Sequence, residues 1–171
     1  MKIGYQINDG MVELPFGLPG RIYRSPLPFS PYFDPEQNLL EEFLAEDVKV
    51  VVMLTPWVEA YELTGFDLRK LYQEEGFRVI EAPIIDFSVP ERGALQAPIS
   101  QTLEAAQNGD HLVIHCHAGR GRTGLFIACM AKVVFDFNGA DAIRWVRQFV
   151  PSAVENRQQV QFVEDFEFLT G

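Results

Sequence analysis

Between His115 and Gly124 the chain reads His115-Cys116-His117-Ala118-Gly119-Arg120-Gly121-Arg122-Thr123-Gly124. These residue types suit chemistry on a tetrahedral oxyanion. A cysteine attacks as its thiolate, a form favoured at a helix N-terminus and beside cationic side chains. Cys116 is offered both, because the apolar run from Leu125 to Val134 reads as a buried helix behind the loop. The planar guanidinium of Arg122 matches two phosphate oxygens at once and can follow their charge into a transition state. Gly119, Gly121 and Gly124 let the backbone approach a ligand closely, so that successive amides form an anion nest. The expected phosphate-binding set is His117, Ala118, Gly119, Arg120, Gly121 and Arg122, with Cys116 as the attacking group. A strand, a Gly-rich loop and a helix in that order bind anions, since the first amides of a helix have no carbonyl partner within it.

Cleavage of a phosphoester by a thiolate also needs an acid for the departing oxygen. Asp86 is the candidate, in a loop that follows a strand and precedes Pro90, with Glu91 in reserve. A turn aspartate without a catalytic role is the plain alternative. Thr123 could donate its hydroxyl to the cysteine sulfur as that sulfur leaves, or stand only as a residue of the first helical turn. His115 would lie behind Cys116, hydrogen-bonded to backbone, in a tuning or a purely structural role. Cys129 has no comparable surroundings and reads as core. His111, His115, Cys116 and His117 are clustered, but Cys116 alternates away from His111 and His115 on a strand, and a closed zinc site wants four converging ligands. No metal is expected.

These groups need elements to hold them. The apolar or β-branched runs 21–25, 48–54, 77–82 and 111–115 read as strands. Asp34-Pro35-Glu36 reads as a helix start with Asp34 at the N-cap. Further helices are expected over 66–75 with Gly76 as its cap, 91–107 (starting as late as Pro98), 122–136, 140–149 and 155–169. Residues 1–20 read as an irregular lead, and 57–65 as a loop or short helix beside the site or a surface insertion. Strands alternating with helices imply an α/β fold, a central, mostly parallel sheet of four to five strands flanked by helices, in one domain spanning 1–171. Ligands in such sheets bind beyond the carboxyl ends of the strands, where Thr55-Pro56, Asp86 and Cys116 all fall.

A formal net charge of −10 argues against nucleic acid and against anionic membrane surfaces as partners, and makes Arg120 and Arg122 a local positive focus. No run of uncharged apolar residues is long enough to span a membrane, and Met1 to Asp9 lack the apolar centre of a signal peptide. With two cysteines in no disulfide framework, the expected setting is cytoplasmic.

His115-Cys116-…-Arg122-Thr123-Gly124 resembles the signature loop of the cysteine-based protein tyrosine phosphatases, within the dual-specificity branch. Ile84-Ile85-Asp86-…-Pro90 resembles that branch's general-acid loop, and Phe66 to Ala82 is similar to the cyclin-dependent-kinase-associated phosphatase group. Pro151 to Gln159 resembles the segment in which a glutamine helps place water, which would be Gln159 unless it is an ordinary polar helix residue. The resemblance implies a phosphatase-like fold and a metal-free, cofactor-free, two-step mechanism. Cys116 would take the phosphoryl group while Asp86 protonates the leaving alcohol, and Asp86 would then activate water against the phosphocysteine. His117 and Arg120 stand where the tensin-like phosphoinositide phosphatases carry lysines, which suits a substrate with several phosphates. Without a membrane-binding segment, a phosphorylated protein is the preferred substrate, with phosphotyrosine first and phosphoserine or phosphothreonine after it. The alternative is a phosphoinositide or another multiply phosphorylated small molecule. Two further readings stay open to assay: a catalytically weak phospho-binding module, and sulfur transfer or arsenate reduction on the same cysteine.

Overall fold

A computed structural model describes residues 10–169. Its elements run β1 (Val12–Leu14), β2 (Ile22–Ser25), α1 (Leu39–Ala45), β3 (Val48–Met53), α2 (Trp57–Thr64), α3 (Leu68–Glu74), β4 (Arg78–Glu81), α4 (Gln96–Gln107), β5 (His111–His115), α5 (Gly121–Phe135), α6 (Gly139–Arg147) and α7 (Arg157–Asp165). The sheet order is β1-β2-β5-β3-β4, with β1 antiparallel to β2 and every other pairing parallel. This is the expected α/β architecture, with one strand added inside the stretch read as irregular. Met1 to Asp9 lie outside the described residues.

The strands read as unbroken apolar runs because both faces of the sheet are covered. Val50, Val52, Leu112 and Ile114 face a cluster that holds Phe126 and Met130 of α5 and Val146 of α6. Val51, Met53 and Val113 face Leu39, Phe43, Leu68 and Tyr72 on the opposite side. Helix α5 is buried from Gly121 through Ala131, so the sequence behind the loop is apolar all round rather than on one stripe.

The register decides where chemistry can occur. Ser25 and Met53 both pair with His115, and Met53 also pairs with Glu81. Four parallel strands therefore end level, and the chain segments leaving them begin at one edge.

Several boundaries differ from expectation for local reasons. Helix α1 begins at Leu39, because Gln37 sits at φ 58° and breaks any helix started at Pro35. Asp34 still serves that end from upstream, accepting from the Asn38 amide at 2.9 Å and the Leu39 amide at 3.4 Å. Helix α4 starts at Gln96, with Pro98 in its first turn, where a missing N–H costs nothing. Helix α7 ends at Asp165, and Lys132 donates to the carbonyls of Val163, Glu164 and Phe166 there. Among the described residues no helix is long and apolar enough to cross a membrane.

Candidate active site

The loop leaves β5 at His115 and enters α5 at Gly121. Cys116 is 3% exposed, and the Gly119 amide donates to its Sγ at 3.3 Å. The first bond of α5 runs from the Gly124 amide to the Arg120 carbonyl at 2.6 Å. Arg120 occupies the N-cap position and has no acceptor in its side chain, so the amides after it keep their donors for a ligand. Gly119 lies at φ 74°, and a Cβ there would collide with the Ser25 carbonyl and the Arg24 guanidinium. That close approach lets Arg24 grip the loop from outside. Its Nε donates to the Gly119 carbonyl at 2.9 Å and its Nη2 to the Ala118 carbonyl at 3.1 Å. Carbonyls turned outward to Arg24 leave the intervening amides turned inward, the orientation that an anion nest needs.

Arg122 is 2% exposed and sits among carboxylates. Its Nη1 donates to Glu59 Oε2 at 2.9 Å, to Glu59 Oε1 at 3.2 Å and to the Ile84 carbonyl at 2.9 Å. Its Nη2 lies 3.3 Å from Asp86 Oδ1. Burial raises the Glu59 carboxyl above its usual range, against the lowering effect of Arg122. Asp86 and Glu91 are both exposed, and it is Asp86 that reaches Arg122. The structure thus brings Cys116, Gly119, Arg122 and Asp86 into one constellation.

The three histidines go separate ways. His115 is fully buried, with Nδ1 3.2 Å from the Cys116 carbonyl and Nε2 2.8 Å from the Tyr72 hydroxyl. A carbonyl only accepts, so Nδ1 carries the proton and Nε2 accepts from Tyr72. Burial, helped by Arg122, pushes His115 down to about 4, so the ring is neutral at ordinary pH. His117 has Nε2 3.1 Å from Ser30 Oγ, with the rings of Phe33 and Tyr32 at 5.0 and 6.1 Å. Burial and then Arg122 hold it below its usual range as well. The Arg120 guanidinium lies over the Phe33 ring at 5.9 Å. His111 Nδ1 accepts from the Arg21 amide at 2.9 Å. Cys129, by contrast with the loop cysteine, is sealed in the core, where burial pushes its thiol far up.

Of the two remaining expected residues, Thr123 stands uncommitted and Gln159 is turned elsewhere. The Thr123 hydroxyl is buried and has no hydrogen-bond partner among the described residues. Gln159 is fully buried, and its amide faces backbone rather than the loop: Oε1 accepts from the Glu155 amide at 2.8 Å and Nε2 donates to the Ser88 carbonyl at 3.4 Å. Sequence reasoning missed Glu59, Arg24 and Tyr72, which reach the loop from α2, β2 and α3. An unexplained arginine inside a buried strand was the available signal for Arg24. Glu155 was missed too, although its carboxylate packs where a Cβ on Gly121 would go. Burial and Asp86 raise it above the usual carboxylate range.

Residues 32–134 match a family model described as Tc-R-P, polymorphic toxin system, DSP-PTPase phosphatase. The chain is 29% identical over 137 residues to mouse protein tyrosine phosphatase domain-containing protein 1, covering 75% of this chain and 18% of that protein. It spans about a fifth of the length of the curated relatives of that kind, at 17–19%. The structure of kinase associated phosphatase with its catalytic cysteine replaced by serine superimposes with a TM-score of 0.83 at 18% identity, covering 94% of each chain. Tk-PTP in its active form gives a TM-score of 0.70 at 26% identity, over 85% of this chain and 92% of that one. With the family match running from the loop after β2 through nearly all of α5, the chain belongs to the DSP-PTPase phosphatases, a family of cysteine-based protein-tyrosine and dual-specificity phosphatases.

Proposed function

We propose that residues 1–171 act as one phosphatase domain that hydrolyses phosphomonoesters through a phosphocysteine on Cys116, foremost phosphotyrosine in proteins, with phosphoserine and phosphothreonine after it. The observation that carries this reading is the contact of Asp86 with Arg122 at 3.3 Å, which joins the acid's loop to the anion loop above the cysteine. The Cys116 thiolate attacks phosphorus, the phosphorus–oxygen bond to the leaving group breaks, and the Asp86 carboxyl passes its proton to that oxygen. Arg122 and the inward amides of residues 117–121 hold the equatorial oxygens throughout. Water then attacks phosphorus, giving its proton to the Asp86 carboxylate. The phosphorus–sulfur bond breaks, and orthophosphate leaves. The Thr123 hydroxyl, unengaged in the fold, can donate to the departing sulfur.

The same details favour protein substrates over multiply phosphorylated small molecules. His117 is held by Ser30, and burial lowers its basicity. Glu59, Asp86 and Glu155 stand round the loop, in a chain of net charge −10. A polyanion meets less positive charge here than the two extra basic residues promise. The test is phosphate release from a phosphotyrosine peptide, a phosphoserine peptide and a short-chain phosphoinositide, with vanadate and EDTA arms. The expected result is fastest release from phosphotyrosine, blocked by vanadate and indifferent to EDTA. Faster release from the phosphoinositide would replace this reading, and binding without release from any of them would make the chain a phospho-binding module.

A further inference from the structure

Asp86 needs a fixed position, yet its own side chain is exposed and its loop turns sharply. Ile85 and Ser88 close a turn at 3.0 Å, with Phe87 at φ 58°, a conformation costly for a bulky residue. Upstream of the turn the chain is well held. The Ile84 amide donates to the Leu54 carbonyl at 2.8 Å, and the Ile84 carbonyl accepts from Arg122. Downstream, the anchors come from the first turn of α7. Asn156 Nδ2 donates to the Phe87 carbonyl at 2.9 Å, and Gln159 Nε2 donates to the Ser88 carbonyl at 3.4 Å. Both side chains are themselves oriented. Asn156 Oδ1 accepts from the Gln159 amide at 2.9 Å as the cap of α7, and Gln159 Oε1 accepts from the Glu155 amide. Each amide is thereby turned so that its N–H points at the acid loop.

We infer that Asn156 and Gln159 are positioning residues for Asp86: the start of α7 latches the two residues after the acid and so holds its carboxyl over the anion loop. The inference rests on the phosphatase reading and replaces the water-placing role expected of Gln159. A latch of this kind acts on leaving-group protonation and not on attack by Cys116. Asn156→Ser separates latching from capping, because a serine hydroxyl still accepts from the Gln159 amide but is too short to reach the Phe87 carbonyl.

The experiment compares wild type, Asn156→Ser and Gln159→Leu on phenyl phosphate, whose leaving group needs a proton, and on difluoromethylumbelliferyl phosphate, whose leaving group does not. Hydrogen exchange of residues 84–89 is followed alongside. Protonation by a placed acid contributes roughly 10²–10⁴-fold, so loosening it is expected to lower kcat/KM on phenyl phosphate about tenfold more than on the activated ester. Exchange across 84–89 is expected to rise while the middle of α7 stays protected. Equal losses on both esters, or unchanged exchange in the acid loop, would overturn the inference while leaving the phosphatase reading intact. A wild-type chain that turns over neither ester would sink both.

Discussion

At Arg122 two requirements meet. In the proposed reaction its charge must lie in a nearly dry site to act strongly on a phosphoryl group, and a buried charge must be compensated before substrate arrives. Glu59 meets the second requirement through both oxygens at 2.9 and 3.2 Å, and leaves Nη2 to Asp86. Glu59→Gln keeps an acceptor but removes the compensating charge. Expected is a loss of about tenfold in kcat/KM, read by steady-state kinetics. Unchanged kinetics would mean that Arg122 is held without Glu59. Cys116, Arg122 and the glycines were legible in the sequence because their spacing is local and set by one strand-loop-helix unit. Asp86 was legible because it follows a strand towards the same sheet edge. Glu59, Arg24 and Tyr72 were not, since each arrives from another element and only tertiary packing aims it at the loop. Gln159 was legible as a residue near the site but not in its direction, because hydrogen bonds to backbone at Glu155 and Ser88 turn its amide away from the loop.

At the level of elements, the site depends on β2 lying against the loop. Gly119 is where this closeness becomes absolute, with φ 74° and no room for a Cβ beside Ser25 and Arg24. Gly119→Ala must push the loop off β2 and break the Arg24 clamp. The expected outcome is a fall of about 2 kcal/mol in stability and of about a hundredfold in kcat. Differential scanning calorimetry and an aryl phosphate assay check it; wild-type values would show that the loop tolerates another path. The buried strands were readable as apolar runs. Helix α2 was ambiguous because its pattern is inverted: Trp57, Val58 and Tyr61 are exposed, while Ala60 is buried and Glu59 turns inward to Arg122. Three-residue β1 carries too short a signal to separate it from its Gly- and Pro-rich surroundings.

For the molecule as a whole, pH acts through the buried histidine. His115 sits at about 4 when folded, against an ordinary value of 6.5. Below 6.5 the unfolded chain therefore binds a proton that the folded chain refuses. Stability is full above that pH and falls as pH drops through the window to 4, by about 3 kcal/mol at most. Glu59 and Glu155 work in the opposite sense, since their raised values make stability present at low pH and lost as pH rises. Both are partly solvated, so His115 sets the trend. Urea midpoints are expected to fall from pH 7 to pH 5 in the wild type. His115→Asn, which keeps a donor for the Cys116 carbonyl, is expected to flatten that slope. An equal slope in both proteins would place the acid sensitivity elsewhere.

If Cys116 carries the phosphoryl group, the phosphocysteine can be trapped. Wild-type chain and Cys116→Ser are mixed with an activated aryl phosphate, quenched in acid within milliseconds, digested and weighed. The expected result is one added phosphoryl group on the peptide containing Cys116 and none on the variant, which should also lack turnover. Turnover that survives Cys116→Ser, or phosphoryl label on a peptide without Cys116, would contradict it.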